Sequence, residues 1–222
     1  MPQSSSKPAR TAKGRRSNEN AAETRDRIVR AGLAAFSEMG FGAASLREIG
    51  ERADVSQQLI THHFETKLGL WKAVVDHTFG ELRAAFVGRA RELEGVSLPE
   101  RMRLLIKEFL VFSAEHPEFA RFMMHEGANK GPRLEWLVER HVRPIYKTLE
   151  SRIEEAQARE LMPTGDPFQI AYLLIGSTAM FSQAAEFELL VGRDVRSAEV
   201  VNARADLVLR LLLPGVPLAD EE

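Results

Sequence analysis

The chain has 222 residues, 44% of them hydrophobic, with 30 Lys and Arg against 32 Asp and Glu, the balance of a globular protein with one large core or two modest ones. Cysteine is absent, which excludes disulfides, thiol catalysis and thiolate metal sites. No run reaches the roughly 18 apolar residues that span a bilayer, and the opening MPQSSSKPAR has no apolar signal core, so a cytoplasmic protein without membrane attachment is expected.

Residues 1–16 hold Lys7, Arg10, Lys13, Arg15 and Arg16 and no acid, in a Ser, Pro, Ala and Gly background too polar to pack. We read residues 1–19 as a disordered basic arm that neutralises phosphates or serves as a solvated tail. Residues 1–67 carry eleven Lys and Arg against eight Asp and Glu, whereas residues 68–222 carry nineteen against twenty-four, so the two parts differ in electrostatic character. Ile28, Ala31, Gly32, Ala35 and Phe36 recur at three and four, the stripe of an amphipathic helix from about Asn20 to Gly40. Ser45-Leu-Arg-Glu48 has the form of a capping box and opens a short second helix with Leu46, Ile49 and Ala53 inward. Only a tight turn fits before Ser56, which caps a third helix at a steep angle to the second.

In that third helix Ile60 and Phe64 lie four apart on one face, while Gln57, Gln58, Thr61 and His62 face elsewhere. A helix-turn-helix that bares such a face fits the DNA major groove, where glutamine amides bond adenine edges and hydroxyls bond bases or phosphates. Many all-α proteins contain a capped short helix after a turn without touching DNA, so this pattern alone leaves both readings open.

Residues 24–74, TRDRIVRAGLAAFSEMGFGAASLREIGERADVSQQLITHHFETKLGLWKAV, resemble the DNA-binding domain of the tetracycline-repressor (TetR) family of bacterial regulators. The likeness lies in the Phe and Gly that end the first helix, in A-S-L-R-E-I-G, in A-D-V-S, in H-H-F and in Lys67. It implies an all-α homodimer with a homeodomain-like three-helix head over residues 20–66, and a helical ligand-binding and dimerisation domain over 67–214. An acidic tail, 215–222, follows. It implies double-stranded operator DNA and a small-molecule effector as partners, with Ser45, Gln57, Gln58, Thr61, His62, His63 and Lys67 at the DNA and Arg47 as an addition. His63, on the flank nearer the core, reads equally as a packing histidine. Where the family commonly has a lysine, a small residue and a tyrosine, this chain has Gln57, Gln58 and Thr61, which alters the operator and leaves the packing face of Val55, Ile60 and Phe64 intact.

Beyond the head, Lys67 to about Leu93 reads as one long helix with Leu70, Val74, Phe79, Leu82 and Phe86 apolar. Ser97 caps a helix to Glu115, His116-Pro117 breaks it, and PEFARFMMHEG forms a short helix to Gly127. A segment from Pro132 to Arg159 bends or breaks near Pro144. Asp166-Pro167 caps a helix to about Gly192, and Ser197 caps the last, which stops before Pro214. AYLLIGSTAMFSQAA and LVLRLLL make Asp166–Val191 and Ala198–Leu213 the expected dimer helices.

Other chemistry has little support. No H-E-x-x-H, phosphate-cradling loop, G-x-G-x-x-G or nucleophile elbow occurs, and His116, His125 and Glu126 match no metal-ligand spacing. Neither catalytic residues nor a cofactor nor a metal is expected. A Met and Phe stripe is more often core than pocket, yet the family resemblance implies a cavity, for which Phe109, Phe112, Phe122, Met123, Trp136, Tyr172, Met180 and Phe181 are the candidates. A ligand-released repressor is the first reading; a ligand-independent DNA-binding or architectural module, or a helical enzyme with a C-terminal cavity, are the alternatives.

Overall fold

The computed structural model describes residues 9–216, with side chains from Ala21 onward, Ala90 excepted. All regular structure among them is helical, and the chain divides into two compact units, 1–77 and 78–222.

In the first unit, helix α1 spans Ala9–Ala43 but leaves helical geometry at Gly40, whose φ of 74° favours glycine. The expected stop at Gly40 is thus a break in the backbone. Residues 1–8 of the expected basic arm lie outside the described residues; from Ala9 the backbone is already α1, not the disordered arm expected to Glu19. Helix α2, Leu46–Ala53, is capped by the Ser45 hydroxyl, which accepts the Glu48 N–H at 3.1 Å. The reciprocal half of the capping box gives way to Arg52, whose guanidinium bonds the Glu48 carboxylate at 2.9 Å and reaches Glu38 of α1 at 2.8 Å. The Glu38 bond first, and the Glu48 bond after it, raise the Arg52 pKa and so favour its charged form.

Helix α3, Gln57–Phe64, follows a turn in which Asp54 is left-handed (φ 52°, ψ 52°) and the Val55 N–H bonds the Gly50 carbonyl at 2.9 Å. A Cβ on Gly50 would stand 2.7 Å from the Val55 carbonyl oxygen, so the turn closes this tightly only over glycine. Ile28, Phe36, Ile49, Ile60, Leu70, Trp71 and Val74 form the fully buried centre of the head. Leu70, Trp71 and Val74 come from α4, Lys67–Glu92, which approaches α1 at Gly32, where a Cβ would lie 3.0 Å from Val74.

In the second unit, α5 (Leu98–Glu115) buries Leu98, Met102, Ile106 and Leu110 at a spacing of four against Val201, Ala205, Val208 and Leu212 of α11 (Ala198–Leu212). Ser97 stands at the N-cap of α5 without a side-chain bond. Helix α6, Pro117–Gly127, and α7, Pro132–Leu137, precede a π-helical turn over Val138–Val142 and α8, Arg143–Ala158. The expected break near Pro144 is this turn. Pro144 lacks the N–H that would bond residue 140, and the Arg143 N–H instead reaches back five residues to the Val138 carbonyl.

The long helix expected from Asp166 to Gly192 is corrected by the structure. It is α9 (Pro167–Gly176), a 3₁₀ turn (Ala179–Ser182) and α10 (Ala184–Val191). The hydroxyls of Ser177, Thr178 and Ser182 each donate to the carbonyl three residues back, at 2.6–2.8 Å. Such back-bonds compete with helical pairing, and three of them in six residues interrupt the helix. Residues 217–222 of the expected acidic tail lie outside the described residues. No helix among the described residues is long and apolar enough to cross a membrane.

The glycines give a direct stability test. Gly50→Ala should cost about 1–3 kcal/mol of head stability by thermal or urea unfolding, because a methyl group is driven into backbone. Gly69→Ala, which meets the Phe64 carbonyl even more closely, should cost at least as much. Gly80→Ala, with open space around its Cβ, should stabilise α4 by about 0.5–1 kcal/mol.

Candidate nucleic-acid interface

The polarity of α3 is divided by its packing. Ile60 and Phe64 are buried, with the Arg25 guanidinium 5.2 Å above the Phe64 ring, and the Ser56 hydroxyl caps the helix by accepting the Leu59 N–H at 3.2 Å. What remains outside is Gln57, Gln58, Thr61 and His62, all exposed, and His63, half-buried between His62 and Phe64. The two glutamine amides offer donors and acceptors, and the two imidazoles stand 5.7 Å apart in the last helical turn. The Thr61 hydroxyl donates to the Gln57 carbonyl at 3.1 Å, so it faces outward as an acceptor.

The flanking candidates occupy different settings. Ser45 is exposed at the start of α2, its oxygen engaged by Glu48 and its hydroxyl proton directed by no cap. Arg47 is exposed and bonds Glu51 at 3.1 Å, a surface pair of little energetic weight that an anionic partner can displace. Lys67 donates to the Gly42 carbonyl at 3.2 Å and lies 4.6 Å from the Phe41 ring centroid, tying the start of α4 to the segment after Gly40. An ammonium has three donors, so this tie is compatible with a phosphate contact. Reading the sequence did not reveal the anchoring roles of Arg25 and Arg52, because Phe64 and Glu38, which they reach, lie on other helices.

The aromatic candidates of the second unit occupy several settings. Phe109 and Phe112 both meet Phe86 of α4, at 6.3 and 6.4 Å. Phe122 and Phe181 are fully buried, Met123 is half-buried, and Met180 packs against the α5–α11 core beside Arg204. Trp136 borders an open surface concavity with Pro132, Glu135, Glu139 and Arg140. Tyr172 is exposed on α9, stacked on Phe168 at 4.6 Å. Among the described residues no group of three His, Cys, Asp or Glu is arranged to hold a metal ion.

Residues 28–74 match the family model of bacterial regulatory proteins of the tetR family, and residues 99–212 match that of a tetracyclin repressor-like C-terminal domain. The chain is 28% identical over 173 residues to the HTH-type transcriptional repressor NicS of Pseudomonas putida, covering 73% of this chain and 77% of NicS. It is 27% identical over 103 residues to the probable HTH-type transcriptional regulator YttP of Bacillus subtilis, covering 46% of this chain and about half, 50%, of YttP. Among solved structures, AibR in complex with isovaleryl coenzyme A and operator DNA aligns with a TM-score of 0.67 at 16% identity, covering 85% of this chain and 97% of AibR. The fatty acid degradation regulator FadR from Bacillus halodurans aligns at 0.64 and 16%, covering 84% and 94%. At these identities the structural likeness establishes the fold.

The division of α3 into a packing face and a bare face predicts unequal costs. Ile60→Ala should destabilise the head by about 2–5 kcal/mol, whereas Gln58→Ala should leave its unfolding midpoint within about 0.5 kcal/mol of wild type. Equal losses in the two variants would contradict the division.

Proposed function

The chain belongs to the tetracycline-repressor family of bacterial regulatory proteins, and from that premise we infer a repressor that binds operator DNA as a homodimer and leaves it when a small, largely apolar molecule binds. In this reading residues 20–66 read DNA and residues 67–214 hold the effector and the dimer contact. The observation that carries it is the bare polar face of α3, braced from beneath by Ile60 and Phe64. The name of NicS, a transcriptional repressor, supports repression, and AibR is a protein of this fold that takes both an acyl thioester and operator DNA. A cytoplasmic location belongs to the same reading, since operator DNA is there.

Dimerisation has its own support in the second unit. Leu189 is 88% exposed, Leu190 77% and Leu211 64%, and Phe168, Leu173, Ile175 and Leu207 are exposed on α9 and α11 as well. Large exposed apolar side chains at this density mark a protein contact, and a second copy of the same face would cover them. A two-fold dimer places two α3 helices in successive major grooves about 34–36 Å apart, so a shift of a few ångströms lifts one head. A coupling of roughly 1–3 kcal/mol between effector and operator would change affinity about 5- to 150-fold, and operator must weaken effector binding by the same factor.

The function is tested by selecting duplexes from a random library with the full chain and measuring affinities for the winner. Gln58→Ala should relax base preference by roughly 1–3 kcal/mol at one position, while Lys67→Ala should weaken all duplexes about equally. Failure of the wild type to enrich any sequence would overturn the reading. Removing residues 1–16 should flatten the logarithmic salt dependence by about 0.9 for each phosphate that the arm neutralises. Leu211→Glu should give a monomer by light scattering and abolish operator binding, while the head keeps its unfolding midpoint.

A further inference from the structure

Ser45, Ser56, Thr61 and Thr66 are exposed hydroxyl residues of the head, and their hydrogen bonds run in opposite senses. Ser45, Ser56 and Thr66 each accept a backbone N–H from three residues on, that of Glu48 at 3.1 Å, Leu59 at 3.2 Å and Gly69 at 2.9 Å. In these three the oxygen is engaged and the cap leaves the proton undirected. Thr61 is reversed. Its hydroxyl donates to the Gln57 carbonyl at 3.1 Å, so the helix holds its proton and the oxygen keeps its lone pairs. It shares the bare face of α3 with Gln57 and Gln58, about one helical turn on from each. A β-branched side chain is stiff at χ1, and the bond to Gln57 selects one of the two rotamers that threonine adopts in a helix.

We propose that Thr61 is a specificity-determining residue that accepts a hydrogen bond from one exocyclic amino group in the major groove, adenine N6 or cytosine N4, and makes no bond to phosphate. A phosphate oxygen carries no proton at neutral pH and needs a donor, which Thr61 supplies only by giving up its bond to Gln57. The capping hydroxyls of Ser45 and Ser56, with undirected protons, suit phosphate oxygens instead. In the major groove adenine N6 and cytosine N4 are donors, whereas thymine O4 and guanine O6 are acceptors that would meet the Thr61 oxygen lone pair to lone pair. A fixed acceptor at one point in the groove therefore distinguishes A·T from T·A and C·G from G·C. The inference rests on the reading of the chain as a DNA-binding regulator.

The test uses the full chain and the duplex that the wild type selects from a random library. One set of duplexes lacks a single amino group, with purine in place of an adenine or pyrimidin-2-one in place of a cytosine. A second set carries a neutral methylphosphonate at a single phosphate. Thr61→Val keeps the shape and the β-branching without the acceptor; it should keep its Tm and bind the parent duplex about two- to tenfold more weakly. Loss of one particular amino group should weaken the wild type by about that factor more than it weakens Thr61→Val, because effects on the duplex itself cancel between the two proteins. The base that carries this group identifies the partner as adenine or cytosine. Thr61→Ser retains the oxygen and should retain the coupling. Coupling of Thr61 to a methylphosphonate, coupling to no group at all, or a Thr61→Val variant that binds every duplex like wild type overturns the proposal while the chain still selects a sequence. A wild type that selects no duplex overturns the regulator reading, and the proposal with it.

Discussion

The carbonyl oxygen of Val55 occupies the space that a side chain on Gly50 would fill, 2.7 Å from where its Cβ would be. That approach sets the angle between α2 and α3, because it lets Val55 close its own bond to the Gly50 carbonyl within a turn of a few residues. Once the angle is set, Ile49 of α2 and Ile60 of α3 are both fully buried, as are Phe36 and Trp71. The polar residues of α3 are then left outside by geometry, since a helix that buries positions 60 and 64 cannot bury 57, 58, 61 and 62 as well. Their exposure is the consequence of packing, and their chemistry is what a groove of DNA can use.

The two units solve different problems. The head has fully buried large side chains and ties such as Arg52 to Glu38, and it must present one face rigidly. The second unit leaves Leu189, Leu190 and Leu211 bare and breaks its helices at a π turn and a 3₁₀ turn. An effector can loosen DNA binding only through its preference for one arrangement of that unit, and breaks in helices are where alternative arrangements are cheapest. Helix α4 has residues in both units.

Where a structural signal is local, it was legible in the sequence. Ser45, Ser56 and Ser197 cap helices by bonds to residues three positions on, and His116-Pro117 separates two helices, all within a few residues of chain. The interruption after Gly176 was not, because an apolar run reads as helix and the back-bonding hydroxyls of Ser177, Thr178 and Ser182 compete only once the run folds. The start of α1 at Ala9 was missed because composition there favours a solvated chain. In the reading head the bare face followed from spacing alone. No effector site followed from it, since a Phe and Met stripe has the same pattern whether it lines a core or a cavity.

Hydroxyl-radical footprinting of the full chain on its selected duplex tests the central claim, that two α3 faces enter the major groove together. The account predicts two protected patches whose centres are one helical turn, about 10–10.5 base pairs, apart or a multiple of it, related by a two-fold axis in the sequence. A single protected patch, or protection spread evenly along the duplex, would contradict it.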